Sequence, residues 1–211
     1  MKTVHLQATE AGAIDQTAAF LRAGKLVVFP TDTVYGIGAA AFGKEAIAAL
    51  YRAKERPMSK GIPLLLADEA DVEGVAGAIP AVARQLAAHF WPGPLTLILP
   101  GRPELPDNVS PNENVAVRIP DHSVARALIR AAGGAVAASS ANRTGEAPAS
   151  DALTALATFD GIVAAVLDDG PAVHGEPSTI VDCTTDPPTM VRAGALSPEA
   201  LGVQLAAEKD G

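Results

Sequence analysis

Three cations stand within seven positions, Lys54-Glu55-Arg56-Pro57-Met58-Ser59-Lys60, in a chain whose formal net charge is −8. Arginine meets oxygen anions as a rigid fork and lysine as a point charge, so fixed cations side by side suit a polyphosphate. Hydroxyls gather in two further places, Thr31-Asp32-Thr33 and Ser139-Ser140-Ala141-Asn142, each directly after an apolar run. In extended chain Ser140 and Asn142 share a face. A hydroxyl and an amide there both donate and accept, which suits an amino acid or a nucleotide. Arg118 lies inside the apolar run Val115–Ile119 and needs a partner, because an unpaired buried charge is very costly. That partner is either a carboxylate of this chain or an anionic ligand. Ser178 leads a further run and Arg192 ends another. The chemistry this set supports is binding and orienting anions, since reactions at phosphorus can run largely by positioning and charge neutralisation. Plainer readings stand beside it: a solvated helix end for the cations, and turns in which the hydroxyls and Asn142 bond their own backbone. No Ser-His-Asp order, cysteine nucleophile or paired carboxylate is apparent. The four histidines lie far apart and Asp168-Asp169-Gly170 reads as a turn, so no metal site is expected.

The elements that must position these groups alternate along the chain. Ala46, Ile47, Leu50 and Tyr51 recur at helical spacing and lead into the cation run, and Pro57 ends that helix by about Arg56. Lys54 and Arg56 would then point the same way in extended chain. Further helices are expected over 14–23, with Asp15 as N-cap, and over 80–90, 123–132 and 151–158, the last capped by Ser150; Ser197-Pro198 opens a short final one. Strands are expected over 26–29, 62–67, 95–99, 115–119, 135–138, 162–167, 178–182 and 189–194. Residues 101–114 read as a loop, Trp91 as a core or hinge residue, and 208–211 as a loose tail. Gly36-Ile37-Gly38-Ala39-Ala40-Ala41 imitates a dinucleotide fingerprint, but Pro30 to Tyr35 separate it from the strand end that the fingerprint requires. The alternation argues an α/β domain with a largely buried sheet.

Composition narrows the class. Hydrophobic residues make up 48% and aromatics only 4%, so the core is built of small aliphatics. A net charge of −8 argues against broad nucleic-acid binding, which needs a basic surface. A single cysteine, Cys183, leaves no internal disulfide and fits a reducing compartment. No apolar run follows Lys2 and none approaches about 20 residues, so a soluble cytoplasmic protein with no membrane contact is expected.

The motifs Phe29-Pro30-Thr31-Asp32-Thr33-Val34-Tyr35-Gly36, Lys54-Glu55-Arg56-Pro57, Pro92-Gly93-Pro94-Leu95-Thr96, Val115-Ala116-Val117-Arg118-Ile119-Pro120, Ser140-Ala141-Asn142 and Ser178-Thr179-Ile180-Val181-Asp182 with Val191-Arg192 occur in this order over nearly the whole chain. Together they resemble the YrdC-like family of threonylcarbamoyl-AMP synthases. The resemblance implies a single domain, 1–211 with its core at about 10–202, in the short form of the family. It implies a twisted mixed sheet flanked by helices around a central concave cavity. It implies a nucleotidyltransferase: L-threonine, bicarbonate and ATP give threonylcarbamoyl-AMP and pyrophosphate, the first step in modifying adenosine next to the anticodon of tRNA. By the same resemblance Arg56, Lys60, Asn114, Asn142, Ser150 and Arg192 would hold ATP, and Lys54 would add charge at the phosphates, with Lys54 and Arg56 catalytic. Thr33, Arg118, Ser140 and Ser178 would hold threonine and its carboxylated form. Magnesium would accompany ATP, with no protein ligand named. The product would pass to the tRNA threonylcarbamoyl-transferase complex; direct RNA contact would be weak, and the chain would act as a monomer. A non-catalytic RNA-binding module in ribosome maturation is the alternative. Two departures from the family pattern are a longer Met58–Ile62 segment and Ala67 at a place where some members carry a histidine that meets threonine.

Overall fold

The computed structural model describes residues 2–109 and 112–206. The expected tail over 208–211 and two residues of the 101–114 loop, Ser110 and Pro111, lie outside the described residues. The elements run β1 (Val4–Gln7), α1 (Ala13–Arg22), β2 (Val27–Phe29), β3 (Gly36–Ala40), α2 (Lys44–Lys54), β4 (Leu64–Leu66), α3 (Ala81–Phe90), β5 (Leu95–Pro100), β6 (Asn114–Arg118), α4 (Ser123–Ala132), β7 (Ala135–Ser140), α5 (Ala152–Phe159), β8 (Ala165–Asp168), β9 (Thr179–Asp182), β10 (Thr189–Arg192) and α6 (Pro198–Leu201), with a 3-10 turn at Glu69–Gly74. The strands form one mixed sheet in the order β1-β8-β2-β3-β7-β4-β6-β5-β9-β10.

Alternation along the strands assigns each face of this sheet a different task. On one face Val28, Ile37, Leu64, Leu66, Leu97, Val117 and Val181 pack with Ile47 and Leu50 of α2, Leu86 of α3 and Phe159 of α5. On the other, Val27, Phe29, Leu65, Val136 and Leu167 pack with Leu21 of α1 and Leu128 and Ile129 of α4. Those two helices cover only the β1-to-β4 half of their face. On the same face the central β4, β7 and β6, with β5 and β9 beyond them, present Leu65, Ala138, Ser140, Ala116, Arg118, Thr96, Ile98, Ile180 and Asp182 to a cavity instead. The sheet is therefore buried on one side and concave and polar on part of the other.

One strand lies where the sequence reading assigned no element, and two cap expectations are corrected. Gly36-Ile37-Gly38 is a strand, β3, antiparallel to both β2 and β7. Its glycines leave room for the Phe29 ring: a Cβ on Gly38 would stand 2.8 Å from both Phe29 Cε1 and Val136 Cγ1. Asp15 lies inside α1, which starts from Gly12 in the left-handed region, where glycine carries no steric penalty. The cap of α5 is Asp151, which accepts from the Thr154 N–H at 2.8 Å, and not Ser150. The strand β1 was not anticipated; its four residues pair in parallel with β8 at the sheet edge, too short a run to stand out. Trp91 is a core residue, 8% exposed, whose indole N–H donates to the Leu95 carbonyl at 2.7 Å.

The close fit at Gly38 is testable. Gly38→Ala should lower unfolding free energy by about 1–3 kcal/mol through overpacking against Phe29 and Val136, measured by chemical denaturation; an unchanged midpoint would refute the packing argument.

Candidate active site

The cavity encloses about 470 Å³ between the uncovered sheet face and two loops. Eight of the residues singled out from the sequence line it: Thr33, Arg56, Lys60, Asn114, Arg118, Ser140, Ser178 and Arg192. They come from the β2–β3 loop, the segment after α2, strands β6, β7 and β10, and the residue just before β9. Sheet geometry gathers them although they are spread over most of the chain.

Arg118 is 5% exposed and held from three sides. Its Nε donates to the Gly93 carbonyl at 2.9 Å, Nη1 to Thr33 Oγ1 at 2.8 Å and Nη2 to Asp32 Oδ1 at 2.5 Å. The choice left open for its partner is thus settled in favour of a carboxylate of this chain, Asp32. Burial lowers the Arg118 pKa, and the adjacent Asp32 opposes that shift. Asp32 is 2% exposed, and its Oδ2 is buried with no hydrogen-bond partner among the described residues. A one-sided buried ion pair of this kind depends on both members being present.

The loop after α2 is braced from below. Glu55 caps the helix in the left-handed region, so the chain turns sharply before Arg56. The Tyr51 hydroxyl donates to the Lys60 and Asn108 carbonyls. Arg56 donates through Nε to the Lys60 carbonyl at 3.0 Å and through Nη2 to that of Gly61 at 2.7 Å. Across the cavity Arg192 donates through Nε and Nη2 to the Ser178 carbonyl, and Ser178 Oγ lies 2.8 Å from Thr96 Oγ1. Gly194 makes that junction possible, since a Cβ there would fall 2.3 Å from the Pro177 carbonyl oxygen. Burial lowers the Arg192 pKa, and the neighbouring Arg118 and Arg56 lower it further. Three guanidiniums therefore sense one another across one cavity, and only Arg118 among them is ion-paired among the described residues.

Lys54, Asn142 and Ser150 are not in the lining. Lys54 is the last residue of α2, so it does not share a face with Arg56 in extended chain as expected. Its ammonium is 2% exposed and donates to the carbonyls of Ser140 and Asn142 and to Asn142 Oδ1. Asn142 Oδ1 also accepts from Ser140 Oγ at 2.5 Å, while its amide donates to the Arg143 and Glu146 carbonyls. Both side chains therefore hold the Ser140 turn behind the cavity wall. Burial, with Arg56 adding to it, draws the Lys54 pKa down to about 8. Ser150 is exposed beside Asp151. Ala67 is buried in the α1–α4 layer, so the missing histidine leaves no gap in the wall; Leu65 lines it instead. The sequence reading passed over Asp32, Thr96 and Asp182 as site residues. The signal for Thr96 was a lone hydroxyl inside an apolar strand; for the two aspartates it was their place at strand ends.

Asp32→Ala should cost about 3–5 kcal/mol, because it leaves Arg118 charged, buried and unpaired; thermal melting checks this, and a loss under 1 kcal/mol would contradict the pairing. For Lys54 the unfolded chain holds a proton that the folded chain gives up between about pH 8 and about pH 10, so this group adds stability as pH rises through that window. Lys54→Met should therefore flatten the rise of unfolding free energy over that range, read from denaturant titrations at each pH.

The family profile described as Telomere recombination, Sua5/YciO/YrdC, matches residues 19–194. A Bacillus subtilis protein named threonylcarbamoyl-AMP synthase is 41% identical over 193 residues, which cover 89% of this chain and 55% of that protein. The chain thus spans about half the length of that relative. A Mycobacterium tuberculosis protein named as a putative threonylcarbamoyl-AMP synthase is also 41% identical, over 88% of this chain and 85% of its own length. Pyrococcus abyssi Sua5, solved as a complex with L-threonine, superposes with a TM-score of 0.92 at 35% identity, covering 98% of this chain and 63% of that one. With a matching profile, similar sequences and a matching fold, this chain belongs to the Sua5/YciO/YrdC family.

Proposed function

We propose that this chain makes threonylcarbamoyl-AMP from L-threonine, bicarbonate and ATP. The observation that carries the reading is the single cavity in which Arg56, Arg118 and Arg192 face hydroxyls from Thr33, Ser140 and Ser178. Relatives bearing the synthase name and a relative solved with L-threonine support it. Thr33, Ser140, Ser178 and Arg118 hold threonine, whose carboxylate suits the buried guanidinium and whose hydroxyl and amine suit the small polar groups. The threonine amine attacks the bicarbonate carbon, the C–OH bond breaks, and the hydroxide leaves as water with an amine proton, giving an N-carboxylate. One carboxylate oxygen then attacks the α-phosphorus of ATP, the bond from that phosphorus to the bridging oxygen breaks, and pyrophosphate leaves with the electron pair.

Negative charge shifts onto the pyrophosphate as this happens, and fixed cations stabilise it without reorganising. Arg56, Lys60 and Arg192 take that role, with Asn114 at the nucleotide's other end. Lys54 and Asn142 act through the Ser140 turn that they hold, and Ser150 is left without a role. The cavity walls limit the access of water to the N-carboxylate, which is unstable in water. ATP enters as its magnesium complex, which binds chiefly through phosphates and water. No group of three or more His, Cys, Asp or Glu among the described residues is arranged to hold a metal. No helix among the described residues is long and apolar enough to cross a membrane. The product passes to a tRNA threonylcarbamoyl-transferase complex, and the chain works as a monomer.

Pyrophosphate release should require ATP, threonine and bicarbonate together; release that ignores threonine would overturn the reading. Arg56→Ala should lower kcat/KM roughly 100-fold or more while the protein stays folded, measured by a coupled pyrophosphate assay.

A further inference from the structure

The cavity is not uniformly cationic. Asp182 is the one carboxylate among its described lining residues. It ends β9, where Ile98 of β5 is its pair on one side and Thr189 of β10 on the other. Its Oδ1 is fixed, accepting from Thr184 N–H at 2.8 Å and from Thr184 Oγ1 at 2.6 Å. Its Oδ2 makes no hydrogen bond or ion pair among the described residues, so an oriented acceptor remains in the cavity. Arg192 pairs with Ile180, a step away along β9, and the groups that depress its pKa are Arg118 and Arg56. Among the described residues no salt bridge joins Asp182 to any of the three guanidiniums; Arg118 pairs with Asp32 instead. Around it the floor is Ile98, Ala116 and Ile180, with Asn114 at the rim. An apolar shelf with a few oriented polar groups suits a flat ring and its neighbours. Phosphate oxygens would be repelled there, because a free carboxylate oxygen accepts and cannot donate.

We propose that Asp182 reads the nucleoside end of the nucleotide, its free Oδ2 accepting a hydrogen bond from a neutral donor: a ribose hydroxyl or the base amino group. This rests on the reading above that the cavity binds ATP. It divides the cavity by chemistry, with hydroxyls and Arg118 for the amino acid, Arg56, Lys60 and Arg192 for the phosphates, and Asp182 with the aliphatic shelf for the nucleoside. Asp182 is then a specificity residue. It makes the site prefer a nucleotide that carries the matching donor, because an analogue lacking the donor leaves a desolvated carboxylate unpaired.

Asp182→Asn separates this role from a structural one. The asparagine Oδ1 still accepts from Thr184, so the turn after β9 is kept, while the free oxygen becomes an amide donor. Calorimetric titration of wild type and variant with ATP, 2′-deoxy-ATP, 3′-deoxy-ATP and inosine triphosphate, each with magnesium and with EDTA, reads binding without turnover. Wild type should bind ATP roughly ten- to a hundred-fold tighter than at least one analogue. The variant should lose that preference through weaker ATP binding, at an unchanged melting temperature; the analogue concerned identifies the donor. If wild type does not distinguish any analogue from ATP, or the variant keeps the preference, the inference fails while the proposed function stands. A variant defect seen only with magnesium would make Asp182 a metal contact and overturn the inference. No ATP binding by wild type would sink the proposed function and this inference with it. Should the asparagine variant not fold, the wild-type analogue series and Asp182→Ser, which keeps an acceptor for Thr184, supply the same decision.

Discussion

The guanidinium of Arg118 joins three segments that are distant in sequence. Through Asp32 and Thr33 it holds the β2–β3 loop, through Gly93 it holds the turn ahead of β5, and its own backbone belongs to β6. A buried arginine is tolerable only when its donors are used and its charge is opposed. Once Asp32 supplies that opposition, the floor of the cavity is fixed before any ligand arrives. Preorganisation of this kind matters for a site that works by electrostatics, because charges that need not move at the moment of reaction stabilise it most.

The other constraint is coverage. An α/β sheet usually buries both faces under helices. Here α1 and α4 stop halfway across one face, and loops roof the remainder. The exposed half is where a net acidic chain concentrates its useful cations. Lys54 shows that position in sequence does not decide function: it lies two residues from Arg56, yet it holds the Ser140 turn from behind while Arg56 faces the cavity. The difference follows from where α2 ends. The last helical residue points its side chain back along the helix axis, and a left-handed Glu55 then redirects the chain.

Much of this was legible in the sequence. Helix α4 matches its expected limits at both ends, and the strands after Pro63 and at Leu95, Val115 and Ala135 fall within a few residues of the apolar runs that announce them. Of the eight named residues that line the cavity, seven were marked by a cation or hydroxyl next to or inside an apolar run or in the cation run, and Asn114 by the resemblance alone. Three things were not legible. The strand β3 is rich in glycine and alanine, a composition that carries little strand signal, and its existence depends on Phe29 packing over Gly38. The partner of Arg118 is a long-range contact that no local pattern encodes. The inward-facing polar positions at Thr96 and Asp182 acquire meaning only when the sheet order brings β5, β6 and β9 side by side.

The junction at Gly194 carries a last implication. The end of β10 approaches the Pro177–Ser178 backbone so closely that a methyl group has no room. The outer wall of the cavity therefore cannot drift outward by small steps of sequence change. Any side chain at position 194 would lever Arg192 away from the Ser178 carbonyl and hydroxyl in one stroke. Change in the size of the cavity would have to arise elsewhere in its lining.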